Sequence, residues 1–139
     1  MKRVIFYILS FTWGFIMSFI GLIGIIFCGA FGTVKCFHGR LYGVVGHNWG
    51  GVCLGCFFFV CHESAESNHT RAHESGHGLQ NCIWGPLFPF VIALPSSIRY
   101  WYRNYRSAKG NPCKTAYDDI WFEGQATQWG KKYVLTDII

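Results

Sequence analysis

Hydrophobic positions along this chain come in blocks, and the longest block, residues 4–32 (VIFYILSFTWGFIMSFIGLIGIIFCGAFG), contains no charged side chain. About 20 apolar residues suffice for a helix to cross a bilayer, so the pattern predicts an N-terminal membrane helix over 1–32. A secretory leader has a shorter apolar region, roughly 7–15 residues, ahead of a small-x-small cleavage site; a retained anchor is therefore expected. Gly14, Gly21, Gly24 and Gly29 line one broad side of that helix and leave room for another helix to pack there. Residues 52–61 (VCLGCFFFVC) are apolar and aromatic, lie between Gly50-Gly51 and a polar loop, and predict one buried strand. A third apolar block, 82–98, holds Pro86, Pro89 and Pro95. Proline removes a backbone donor and disturbs a straight helix, so this block predicts a re-entrant or interfacial segment, with a kinked span as the alternative. Residues 117–130 (YDDIWFEGQATQWG) read as a helix, with Gly130, Lys131 and Lys132 as its stop. The fold class that follows is mainly α with a small β element of one or two strands, and residues 33–139 form one domain beyond the anchor.

Composition sharpens the membrane reading. The chain is 51% hydrophobic and only 14% charged, against roughly 25% charged in soluble domains. Arg99, Arg103, Arg106, Lys109 and Lys114 follow the proline-bearing block and interleave with Tyr100, Trp101, Tyr102 and Tyr105. That mixture suits an anionic headgroup layer, and the lipid bilayer is the expected partner. A net charge of +5 in so hydrophobic a chain does not point to nucleic acid. At 139 residues there is room for one site and no separate substrate module.

The candidate chemistry sits in the polar stretch between the second and third blocks. Residues 73–77 read His-Glu-Ser-Gly-His. On an α-helix, positions i and i+4 share a face, so His73 and His77 can grip one Zn²⁺ while Glu74 stands beside it as the base for a water. Asn68 or Thr70 is the expected cap of this helix, and Gly85-Pro86 its end. A catalytic zinc needs a third protein ligand and an open fourth position. The chain has four glutamates; Glu63 and Glu66 fall in a polar loop and Glu74 is the base, so Glu123 is the expected third ligand. Ala126 and Thr127 share its face: the small residue lets two helices approach closely, and the hydroxyl can bond a ligating histidine.

The order H-E-x-x-H followed by an E-x-x-A helix resembles the membrane-bound gluzincins, including the CAAX prenyl protease family and its bacterial heat-shock relatives. The chain is similar, over most of its length, to small bacterial membrane proteins. The segments that carry the likeness are Phe11-Thr12-Trp13-Gly14, Leu54-Gly55-Cys56-Phe57, His73 to Gln80, Gly85-Pro86-Leu87, Pro95-Ser96 and Trp121 to Gly130. Thr127 stands where the prenyl-protease pattern has Asp. The resemblance implies a zincin-like helical core anchored in a bacterial inner or cell membrane, and a zinc-dependent metallopeptidase acting on a peptide or membrane-protein substrate. Tyr117 is the candidate donor to a developing oxyanion. The alternative is a non-catalytic membrane protein whose zinc site fixes two helices or binds a partner; a third reading makes the histidine pair a polar patch in a helix-packing core.

Seven cysteines complete the inventory. Cys53 and Cys56 form a C-x-x-C, but Cys36, Cys61, Cys82 and Cys113 supply no second pair at comparable spacing, and an odd total does not complete a disulfide framework. They read as small buried hydrophobes. His38, His47, His62 and His69 read as loop or surface residues, with a competing-ligand role for His69, one turn before His73, as the alternative.

Overall fold

A computed structural model describes residues 2–136. The first apolar block is two helices, α1 (Lys2–Thr12) and α2 (Phe15–Ala30), which meet at 99°. This corrects the expectation of one continuous helix. The break is held by side chains from elsewhere: the Trp13 indole donates to the Ile83 carbonyl at 3.2 Å, and Asn81 Nδ2 donates to the Gly14 carbonyl at 3.2 Å. A Cβ on Gly14 would collide with that Asn81 amide. Among the described residues no single helix is long and apolar enough to cross a membrane. Two bent pairs meet the length and composition together: α1 with α2, and Asn68–Leu87 with Pro89–Ala108 at 117°.

Four short strands follow: β1 (Val34–Phe37), β2 (Arg40–Val44), β3 (Gly51–Leu54) and β4 (Phe57–Val60), in the spatial order β1-β2-β4-β3. β1 and β2 form a hairpin through His38 and Gly39, both at positive φ (47° and 77°), as a right-twisted two-residue turn requires. The block 52–61, expected to be one strand, is a second hairpin. Gly55 (φ 75°) leads its two-residue turn, and Leu54 pairs with Phe57 across it. β2 and β4 run parallel, placing Tyr42 beside Phe58 with their rings stacked 4.9 Å apart. All four residues of β4 are buried, as expected of a central strand covered on both faces.

The covers are helical. α2 lies on the face that carries Phe57 and Phe59; Gly21 abuts the Leu54 carbonyl and Gly24 the Phe59 ring. The α2 glycines thus admit the sheet, not another membrane helix. α3 (Asn68–Trp84) covers the opposite face, where Arg71 Nη1 donates to the Tyr42 hydroxyl at 3.3 Å. α3 in turn packs against α5 (Trp121–Trp129). Gly76 meets the Ala126 carbonyl and the Ala72 carbonyl meets Gly130, approaches that any Cβ would block. Gly130 is therefore a contact and not the expected stop: the chain runs on through a π-helical turn, Gly130–Val134.

After α3 the three prolines produce a 3₁₀ turn (Gly85–Leu87), a π-helical turn (Pro89–Ala93) and then α4 (Leu94–Ala108), which buries none of its residues. The π turn is a rare geometry that usually marks a local insertion or a site.

Candidate metal centre

α3 starts at Ser67, whose Oγ accepts from the Thr70 amide at 3.2 Å; the cap is thus Ser67, and not Asn68 or Thr70. The helix ends at Trp84 because Gly85 takes φ 50°, as expected from Gly85-Pro86. Between these ends, the i, i+4 spacing puts His73 and His77 on the face turned toward α5. Their Nε2 atoms each lie 3.1 Å from Glu123 Oε2, and the ligand atoms of the three residues lie within 4.8 Å of one another. Glu123 is fully buried, and His77 retains only 5% of its exposure.

Hydrogen bonds on the far side of each ring determine what the near side offers. Thr127 Oγ1 donates to Asp118 Oδ2 at 2.8 Å, so its lone pair must accept from His73 Nδ1 at 2.7 Å. Gln80 Nε2 donates to the Phe122 carbonyl at 2.8 Å and to Gln125 Oε1 at 3.0 Å. Its Oε1 is thereby left to accept from His77 Nδ1 at 2.7 Å. As neutral rings, both imidazoles therefore carry their proton on Nδ1 and present an Nε2 lone pair. The other Glu123 oxygen, Oε1, accepts from Ser96 Oγ at 2.5 Å. Two nitrogen lone pairs and one carboxylate oxygen thus converge on a single point with no donor among them. That arrangement suits a cation, and His73, His77 and Glu123 form a group that can hold a metal ion.

Without a cation the same crowding is relieved by a proton. Burial alone would lower the His73 pKa, but the Glu123 hydrogen bond and the charges of Glu74 and Glu123 outweigh it and raise the pKa. Burial likewise would raise the Glu123 carboxyl, yet hydrogen bonds from His73 and His77 hold it far below the usual carboxylate range. Glu74 is raised, by burial first, against the opposing pull of His73 and His77.

Glu74 leaves the ligand group and lies flat against the edge strand β3. A Cβ on Gly51 would sit 2.7 Å from Glu74 Oε1. The metal group opens on this side into a cleft of about 460 Å³, walled by Trp49–Cys53 of the strand and by Ile92, Ser96 and Tyr100 of the kinked segment. Tyr117 also lines it, its ring centroid 6.4 Å from that of His73. Burial, followed by the charge of Glu123, pushes its phenol up to about 12, so it is a neutral donor.

The structure therefore brings together His73, His77 and Glu123, with Glu74 and Tyr117 on the cleft wall and Thr127 behind His73. It leaves out His69, which reaches the cleft but stays 6.4 Å, ring to ring, from His73. Glu66 pairs instead with Lys35 at 2.6 Å, and Glu63 with His47 at 2.8 Å. All seven cysteines are free thiols, and none joins a metal-competent group among the described residues. Sequence reasoning missed three partners. Gln80 was signalled by its i+3 relation to His77. Asp118 sits in a 3₁₀ turn nine positions before Thr127, and Ser96 in an apolar block, where neither has a periodic signal. No family model, no curated protein and no solved structure matches this chain.

Proposed function

We propose that the protein is a membrane-seated, zinc-dependent metallopeptidase of gluzincin type. The observation that carries this reading is the convergence of His73 Nε2, His77 Nε2 and Glu123 Oε2 at the wall of a cleft, with Glu74 alongside. Two neutral imidazoles and a carboxylate are a donor set suited to zinc, and the cleft would give water or substrate access to an ion held by them. A zinc ion there would supply Lewis acidity, acidifying a water and polarising a scissile carbonyl.

The chain's own residues supply the rest. Glu74, raised by burial and free of the ligand group, takes the proton of the attacking water on its carboxylate and passes it to the leaving amine. Tyr117 donates its phenolic hydrogen toward the oxygen on which charge develops. Thr127 with Asp118, and Gln80 with the Phe122 carbonyl, keep both imidazoles turned so that Nε2 faces inward. Exposed apolar side chains on α2 (Ile23, Ile26, Phe27) and on the kinked segment (Leu87, Phe90, Leu94) support seating in a bilayer. α4 adds exposed Trp101, Tyr102 and Tyr105 beside its arginines. The test is elemental analysis of protein purified without chelator, together with cleavage of a peptide and membrane-protein library before and after zinc is stripped and restored. One zinc per chain with zinc-dependent cleavage supports the reading. Tightly bound zinc without any cleavage transfers the site to a structural role.

A further inference from the structure

A second cavity lies away from the metal centre. It is a groove of about 390 Å³ framed by α1 (Lys2, Phe6 and Leu9), by α3 (Leu79 and Cys82), and by Trp129 at the end of α5 with Tyr133 of the following π-helical turn. Phe6 and Leu79 form its floor, while Ile5, Leu9 and Ile83 stand exposed at its rim. We propose that this groove binds one acyl chain of an anionic phospholipid, with the headgroup phosphate at Lys2.

Two observations select this occupant. The α1 and α3 walls offer almost nothing to a peptide backbone: the Cys82 thiol is already engaged with Ser10 Oγ (3.4 Å) and the Phe6 carbonyl (3.6 Å), and the Trp129 indole and Tyr133 hydroxyl stand on the third wall alone. Amide groups laid along the α1 and α3 walls would lose water without gaining partners, whereas an alkyl chain has no polar group to strand. The charge is one-sided as well. Among the described residues no acidic side chain lines the groove, Lys2 is part of its lining, and Lys132 stands 5.0 Å over the ring of Tyr133. An apolar slot with a cation in its lining fits a lipid whose head is negative, and α1 carries further exposed apolar side chains in Val4 and Ile8.

The groove is separate from the metal ligands, so its test needs no hydrolysis. Full-length protein in detergent micelles is titrated with dioleoyl phosphatidylglycerol or dioleoyl phosphatidylcholine and read by native mass spectrometry. Wild type should retain one phosphatidylglycerol per chain, about fivefold or more above phosphatidylcholine, whose choline cation offsets the attraction of its phosphate to Lys2. Lys2→Glu should erase that preference while keeping a bound chain. Leu9→Trp, a rim substitution that fills the slot, should lower retention of both lipids, with circular dichroism confirming an unchanged fold. Equal retention of the two lipids by wild type overturns the proposal, as does retention indifferent to Leu9→Trp. A loss caused by Arg106→Gln with Lys109→Gln, and not by Lys2→Glu, would move the lipid to α4 and overturn it too. So would a two-chain species that Leu9→Trp dissolves, since a second copy would then be the occupant.

Discussion

The Thr127 hydroxyl joins His73 to Asp118, lying 2.7 Å from the imidazole Nδ1 and 2.8 Å from the carboxylate Oδ2. A single hydroxyl proton cannot serve both neighbours. Because the carboxylate can only accept, the imidazole must donate, and the tautomer of a candidate metal ligand is thereby set from two residues away. Thr127→Val removes this relay while preserving shape, and should weaken zinc binding roughly 10- to 100-fold. Thr127→Ser should retain it. Competition against a chelator of known affinity measures both, and equal affinities for wild type and Thr127→Val would refute the relay.

Glu74 and His77 share a helix but not a task. Glu74→Gln cannot accept a proton, so zinc content should stay near wild type while peptide cleavage falls about 10²–10⁴-fold. His77→Ala should remove zinc and cleavage together, because two remaining ligands hold the ion poorly. Elemental analysis alongside turnover separates these outcomes; undiminished turnover in Glu74→Gln would rule it out as the base.

The pH dependence should change sign with metal. In metal-free protein the raised His73 contributes stability that is fully present below 6.5 and is lost as pH climbs through its elevated folded value. The depressed Glu123 contributes above 4.5 and fades only in strong acid. Stripped protein should therefore lose stability on going from mildly acidic to alkaline buffer. Zinc-loaded protein should gain it over the same range, since the imidazoles must shed protons to bind. Melting curves at matched pH, with and without chelator, provide the comparison; parallel pH trends would contradict the shared proton.

Much of the centre was legible in the sequence because its geometry is local. The i, i+4 spacing of His73 and His77 is a property of any helix, and Glu123 followed from the scarcity of glutamate. Thr127 was readable one turn from Glu123, although its dependence on Asp118 was not. Thr127 is backed by a carboxylate from a separate turn. The fold was less legible where apolar residues are uniform. Residues 52–61 are apolar throughout apart from Gly55, and Phe57–Val60 are buried on both faces, so no alternation betrays the turn at Gly55; residues 4–32 bend at a point determined by Asn81 and Ile83, far along the chain.

Gly76 and Gly29 offer a contrast in what a methyl group costs. At Gly76 it would enter the Ala126 backbone, which has nowhere to yield, whereas at Gly29 its nearest neighbour is Val34 Cγ2 at 3.9 Å. Gly76→Ala should destabilise by about 1–3 kcal/mol or more and loosen zinc by spreading α3 from α5. Gly29→Ala should be neutral or stabilise by up to about 1 kcal/mol. Thermal melts of the two variants test this, and similar melting temperatures would mean the helices are less tightly apposed than described.

Placement in the bilayer has a simple biochemical readout. Alkaline carbonate should leave the full-length protein in the membrane pellet, as expected for a chain with so many exposed apolar side chains on α1, α2 and the kinked segment. Release as a soluble species would refute the membrane seating while leaving the metal chemistry untouched.

The bend at Thr12–Gly14 makes the N-terminal segment a wall of the molecule and not a tether. Its carbonyl is held by Asn81, one turn beyond His77 on the metal helix, and its second helix roofs Phe57 and Phe59. A chain shortened to begin at Thr33 would strip one side of the sheet to solvent and leave the Asn81 amide without its partner. Removal of the first thirty-two residues should therefore disturb the packing around the His73–His77–Glu123 group as well as the sheet.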